Sequence, residues 1–323
     1  MEVIEEGIEP LLQPIDIEGF REHMRSKLAT SLRDKVMSEK EAVEKFVSDG
    51  DYIGFELYGT VRAPLSIARE IVRQGKKNLR LAGQGLQDVD FLLAADLVVS
   101  MDITYVGYEV YGLSPILRRA TESGKVKAVE WSNGAMAWRF KATAMGVPFI
   151  PVRSMIGSDT LKHSAAKVVK DPFTGMPINL LPALILDVGV IHVHRCDPLG
   201  NAQIEGISGF GMEMARASKK LIISTEEIIP VEETKKNPDK VAIPYFLVDA
   251  VVEAPFGSHP GEMVYRYARD EEHIRKYIEM IKTEEGTKEY LEEYIYSVPD
   301  HEAYLEKIGR DRLKRLQEEA MRR

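Results

Sequence analysis

Several short segments hold groups that can do chemistry. Gly83-Gln84-Gly85 follows the apolar run 79–82, and two glycines at a strand end leave backbone N–H groups free to face an anion or a developing oxyanion. Glycines also end strands for steric reasons alone. Glu130-Trp131-Ser132-Asn133-Gly134 closes one strand and opens a helix. Ser132 and Asn133 are helix-cap formers; in a functional loop they, Gly134 and the carboxylate of Glu130 would face a substrate. Glu109 stands among apolar and aromatic neighbours, where a carboxyl with a raised pKa can move protons. A helix N-terminal acid or a solvent-facing side chain fits the same spacing.

His192, His194 and Cys196 alternate, so on a strand all three point to one face at metal-like spacing. Zinc needs a fourth group and no second Cys/His cluster exists, so structural hydrogen bonding is the expectation, with no metal. Glu226-Glu227 follows another apolar run and reads either as a catalytic pair or as a charged turn. His259-Pro260 marks a tight loop.

The elements that must position these groups alternate. A charged surface helix is expected over 20–35. Ser38-Glu39-Lys40-Glu41 is a capping box opening a helix with Val43, Phe46 and Val47 on its apolar stripe, which Gly50 can end. A strand at 52–55 is followed by a helix opened by Pro64 and closed by Gly75, burying Leu65, Ala68 and Val72. The runs 79–82, 97–100 and 127–130 read as strands and 134–145 as a helix, while Pro148 weakens a strand at 147–150. A turn-rich excursion at 170–179 separates these from a second series, 184–193, 221–224 and 248–252. Beyond Gly261 the chain is charged and helical. The fold class is α/β: an open, mostly parallel sheet with helices on both faces and a helical C-terminal tail. Pocket residues then lie in loops at the carboxyl ends of the strands.

The 323 residues, 44% hydrophobic, are ample for a large core. With 51 acidic against 43 basic side chains the formal charge is −8, which argues against nucleic acid or an anionic membrane as partner. The single cysteine excludes an intrachain disulfide. The acidic start lacks the features of a signal peptide and no apolar run is membrane-length, so a cytoplasmic protein is expected.

Twelve segments, taken in order, resemble the class I coenzyme A transferase family, in the A (alpha) subunit form of the glutaconate type. They are Lys35-Val-Met-Ser38, Gly50-Asp51, Arg62-Ala-Pro64, Arg73-Gln-Gly75, Pro148-Phe-Ile-Pro-Val152 and Gly157-Ser158. Asp187-Val-Gly-Val-Ile-His192, Asp197-Pro-Leu-Gly-Asn201, Glu226-Glu-Ile-Ile229, Val248-Asp-Ala-Val-Val252, Ala254-Pro-Phe-Gly-Ser-His-Pro260 and Asp300-His-Glu-Ala-Tyr-Leu305 complete the set. The resemblance runs from about 35 to about 313, and it rests on order and spacing rather than on one motif.

It implies a CoA-transferase/ribose-phosphate isomerase-like fold over 36–315, with possible lobes 36–166 and 182–260. An N-terminal extension, 1–35, and a helical region, 262–323, flank it. It also implies a heteromeric enzyme, a heterotetramer or larger, that moves coenzyme A between small mono- or dicarboxylic acids by a ping-pong route. Acyl-CoA is the substrate and no metal takes part. In the family the attacking glutamate belongs to the B (beta) subunit, often in a Ser-Glu-Asn-Gly setting. The nearest segment here is Trp131-Ser132-Asn133-Gly134, with Ser132 in the glutamate's place, so the main nucleophile is expected on the partner. The resemblance makes Glu56, Tyr58, Arg62, Gly83, Gln84, Gly85, Tyr108, Ser132, Asn133 and Gly134 substrate-pocket walls, with Glu109 and Glu130 as catalytic candidates.

Two segments depart from the family pattern. Aligning on Arg62 and Pro64 puts Glu56-Leu57-Tyr58 where the family's alpha chains carry Gly-Gly-Phe, and a bulky acid there narrows or recharges the pocket. The loop 105–109, small and polar in relatives, holds Tyr108 and Glu109. A second function follows from relatives that lack the glutamyl nucleophile and hydrolyse a carbon–carbon bond in a ring CoA thioester. Such an enzyme needs an acid/base, for which Glu109, Glu130 and Glu56 are the candidates. A third is a non-enzymatic subunit that binds a metabolite or CoA ester.

Overall fold

Short aliphatic runs that are apolar on both faces can be buried only between two layers of helices. In the computed structural model, which describes residues 2–56, 60–84 and 87–322, such runs form one seven-stranded sheet. Its order is Ala250–Glu253, Ser218–Thr225, Leu186–Val193, Tyr52–Glu56, Leu79–Gly83, Val98–Ile103 and Lys127–Glu130, with every neighbouring pair parallel. The first strand of this sheet in the sequence, Tyr52–Glu56, lies in its middle. The chain runs outward from it to Lys127–Glu130, then crosses to Leu186–Val193 on its other side. Strand order therefore reverses between these two central strands, and the crevice at their carboxyl ends is where open α/β sheets receive ligands.

The helices follow the local signals. Ser38 Oγ accepts from Glu41 N at 3.2 Å while the Glu41 carboxylate accepts from Ser38 N at 2.9 Å, the full capping box. That helix, Glu39–Phe46, ends before Gly50. Leu65–Gln74 starts after Pro64 and stops at Gly75, whose φ of 63° is left-handed. The helix expected over 20–35 is Ile17–Ala29, capped by Asp16. It stops short, and Lys35 beyond it is buried with Nζ donating to Tyr245 O at 2.6 Å.

Two features were not visible as elements in the sequence. The excursion at 170–179 is the tip of a hairpin, Lys167–Lys170 with Pro177–Pro182, in a separate four-stranded sheet that Phe149–Val152 and Val3–Glu6 complete. Phe149–Val152 tolerates Pro151 because it is an edge strand. Val3–Glu6 is exposed along its whole length, so it has no hydrophobic alternation to read. The C-terminal helices Glu271–Met280, Glu284–Leu291 and His301–Ile308 send Tyr277, Tyr290 and Tyr304 into the same core as Leu65–Gln74 and Gln87–Ala94. Among the described residues no helix is long and apolar enough to cross a membrane.

Candidate active site

The central crevice is floored by an ion pair. Glu56 ends its strand, and Arg62, six residues on, folds back so that Nη2 meets Glu56 Oε2 at 2.6 Å with both side chains buried. Arg62 reaches it from a left-handed backbone, φ 51°, unusual for a non-glycine residue. Its guanidinium also donates to His192 O at 2.7 Å and Ser208 O at 3.2 Å, tying the two central strands to the 205–210 loop. Burial pushes the Glu56 carboxyl up, opposed by Arg62 and by the N–H groups of Gly211 and Phe210. Gly211 lets its backbone come close, since a Cβ there would lie 2.9 Å from Glu56 Oε2. Tyr58 lies outside the described residues, as does Gly85.

Next to this pair, Gly83 is the last residue of its strand, with φ 149° and Phe55 O 3.0 Å from where a Cβ would stand. Gln84 is buried with Oε1 unpartnered among the described residues, as are Gln87 Nε2 and Thr104 Oγ1. Unsatisfied buried polar atoms are rare in native proteins, and three around neighbouring strand ends mark a place where the chain keeps polar groups available.

On the far side, Trp131 is pinned from below. Its Nε1 donates to Asp102 Oδ1 at 2.6 Å, Tyr52 Oη donates to the same carboxylate, and Arg139 pairs with it at 3.0 Å while stacking 3.9 Å from the Trp131 ring. This fixes the turn into Asn133–Met145, whose cap is Ser132, with Oγ accepting from Ala135 N at 3.1 Å. Asn133, Gly134 and Glu130 are exposed at this strand end. The hydroxyl of Ser132 thus serves a helix N-terminus, and the carboxylate of Glu130 stands in solvent.

Glu109 occupies the tip of a tight loop between Val98–Ile103 and Pro115–Glu122. The loop closes on itself through Tyr108 N to Gly112 O at 2.6 Å and Ser114 N to Val106 O at 3.3 Å. Glu109, φ 50°, and Val110 are exposed, whereas Tyr108 turns inward and its hydroxyl donates to Asp90. Left-handed backbone recurs around this edge, at Arg62, Glu109, Phe256 and Tyr265, and strain of this kind gathers at functional sites.

A second buried network joins His192 to Glu226. His192 Nε2 lies 2.7 Å from Glu226 Oε1 and Nδ1 lies 2.9 Å from Ser224 Oγ, and Tyr267 Oη donates to Glu226 at 2.8 Å. A Ser–His–Glu arrangement has the look of a hydrolytic triad, but Ser224 and His192 are fully buried inside the sheet. Glu226 Oε2 instead accepts Phe256 N at 2.8 Å, so the network holds the 254–258 loop. His194 and Cys196 do not converge with His192, because the strand ends at Val193: His194 bonds Val264 O at 2.9 Å and Cys196 bonds Asp197 O. Among the described residues no group of three or more His, Cys, Asp or Glu side chains is placed to hold a metal ion.

Comparison with known proteins agrees with this architecture. The chain is 32% identical over 298 residues to the A subunit of glutaconate CoA-transferase of Acidaminococcus fermentans, covering 86% of this chain and 93% of that one. The crystal structure of glutaconate coenzyme A-transferase from that organism matches with a TM-score of 0.84 at 31% identity, over 88% of this chain and 95% of the other. The cholesterol ring-cleaving hydrolase IpdA subunit of Rhodococcus jostii is 28% identical over 293 residues, 87% of this chain and 99% of that one. The model of the family described as coenzyme A transferase matches residues 36–254, a span that includes every strand of the parallel sheet. By its sequence and its fold alike, this chain belongs to the coenzyme A transferase family.

Proposed function

We propose that this chain is the A subunit of a heteromeric CoA-transferase. It walls a thioester cleft at the carboxyl edge of the sheet, and a B subunit supplies the glutamate that attacks acyl-CoA. The observation that carries this reading is the turn after Lys127–Glu130, where Ser132 caps a helix at the position that the family resemblance aligns with the B subunit's glutamate. Glu56, the acid at the end of a central strand, is committed to Arg62. Val110, Leu113, Ile207 and Tyr265 are exposed at the same edge, the kind of apolar surface that an intersubunit contact covers.

In this mechanism a partner carboxylate adds to the thioester carbonyl and expels CoA thiolate, leaving a mixed anhydride. The thiolate then attacks the glutamyl carbonyl, releasing the first acid and forming a glutamyl–CoA thioester; the incoming acid reverses both steps. A carboxylate is a poor nucleophile towards a thioester, so positioning and oxyanion stabilisation must supply the rate. The loop at Gly83 and Gln84, with the first turn of Asn133–Met145, supports an oxyanion or carboxylate contact from this chain. Coenzyme A enters and leaves as substrate.

The test is to reconstitute the chain with its partner, add acyl-CoA and trap with borohydride. The expected result is a glutamate of the partner reduced and tagged, with exchange of CoA between acids. Labelling of this chain instead, or exchange by this chain alone, overturns the proposal. A second reading, hydrolysis of a ring CoA thioester, draws on Glu109, exposed at a braced loop tip, and on the likeness to the ring-cleaving hydrolase. Turnover with water and no trapped glutamate would favour it, and Glu109→Gln would then abolish activity.

A further inference from the structure

Asp90, in the helix Gln87–Ala94, is fully buried and unused by the mechanism above. Three hydroxyls from two other parts of the chain converge on its carboxylate. Tyr108 donates from the loop tip, Ser114 from the loop's end at 2.6 Å, and Tyr277 from the C-terminal helix Glu271–Met280 at 3.4 Å. The Tyr108 and Tyr277 rings pack edge to face, 5.7 Å apart. Tyr111, on the loop's other flank, donates to Glu271 at the start of the same C-terminal helix. The loop's only described outward side chains at its tip are Glu109 and Val110. A loop would fold with far less: its own backbone bonds already close it. Drawing three hydroxyls onto one buried carboxyl group adds orientation, because each hydrogen bond fixes a direction as well as a contact.

We propose that Asp90 is a positioning residue: through Tyr108 and Ser114 it sets the 105–113 loop against the acyl-CoA cleft, with the C-terminal helix as its brace. This rests on the transferase reading only in taking the carboxyl edge of the sheet as the cleft. Glu109 and Val110 then form a wall whose place is decided by a residue that never meets substrate, and the C-terminal helices act on the site through Tyr277 and Glu271.

The experiment uses the variant Asp90→Asn, which keeps the shape of the side chain, in the full complex with the B partner. The KM for acyl-CoA is expected to rise about tenfold while kcat changes by less than about twofold. Amide hydrogen exchange should speed up within 104–114, with Tyr52–Glu56 and Leu186–Val193 as slow as before. Tyr108→Phe keeps the ring packing and serves if Asp90→Asn fails to accumulate; in the double variant the two effects should not add. Unchanged exchange in 104–114, loss of protection across the central sheet, or a fall in kcat with KM unmoved each overturns the proposal. If the wild-type complex transfers no CoA, the functional reading falls, and the exchange measurement still decides whether Asp90 holds the loop.

Discussion

Arg62 decides what the crevice between the central strands can offer. A cation at a strand end in an acyl-transfer site would ordinarily greet a carboxylate, but here a left-handed backbone turns it down onto Glu56. The pair is fully buried, so removing one partner strands the other's charge, at a cost of about 3–5 kcal/mol. Glu56→Met and Arg62→Met should each lose that much in urea unfolding, while the double variant should lose much less than their sum. Additive losses would show that the two charges act separately. The sequence does reveal an acid where relatives carry glycine, and it reveals Arg62 and Pro64 as fixed points. It does not reveal that the acid faces inward. That depends on φ at Arg62 and on N–H groups of Phe210 and Gly211 far along the chain, which no local pattern encodes.

At the scale of elements, local signals were legible where local physics sets the boundary. The strand Lys127–Glu130 has the bounds read for it, and Gly75 stops a helix because only glycine takes that backbone cheaply. The capping box at Ser38 is equally local. Ser38→Ala should therefore lower stability by about 1 kcal/mol, read as a shifted urea midpoint with an unchanged slope. A change in slope would mean that more than the first turn had been lost. Elements held by distant partners were not legible. Val3–Glu6 is a strand only because Lys167–Lys170 offers an edge, and the pairing of Pro177–Pro182 with Phe149–Val152 joins two segments that both contain proline. The loop at 105–113 was readable as a loop, yet it is bonded to Asp90, which also meets Tyr277, side chains that spacing offered no reason to connect.

At the scale of the whole molecule, the C-terminal helices are fastened to the sheet layer by neutral histidines. His301 Nε2 donates to Pro255 O at 2.7 Å, so Nδ1 accepts from Arg69, a buried guanidinium that can only donate. His259 Nε2 donates to Asp270 at 3.1 Å and Nδ1 accepts from Tyr304 Oη at 2.8 Å. Burial holds His301, His259 and His273 below the ordinary histidine range, and takes His194 down to about 4. In each case the unfolded chain binds a proton before the native one does, so stability from these groups is complete above about pH 6.5 and is lost as pH falls from there. Buried carboxyls work the other way: Asp90, raised by burial to about 7, and Glu39 and Glu56, also raised, favour the native state as pH falls towards their unfolded values. The two sets of groups oppose each other, so one histidine must be isolated by difference. His301→Gln removes the clash of a second ring proton with Arg69. Between pH 6.5 and pH 5 its stability should fall less steeply than the wild type's, by at most about 1.4 kcal/mol per pH unit. In the wild type, acidification should first raise amide exchange in Glu271–Met280 and His301–Ile308, before the central strands respond. Equal slopes for the two proteins, with uniform exchange, would mean that the tail is held by its tyrosines alone.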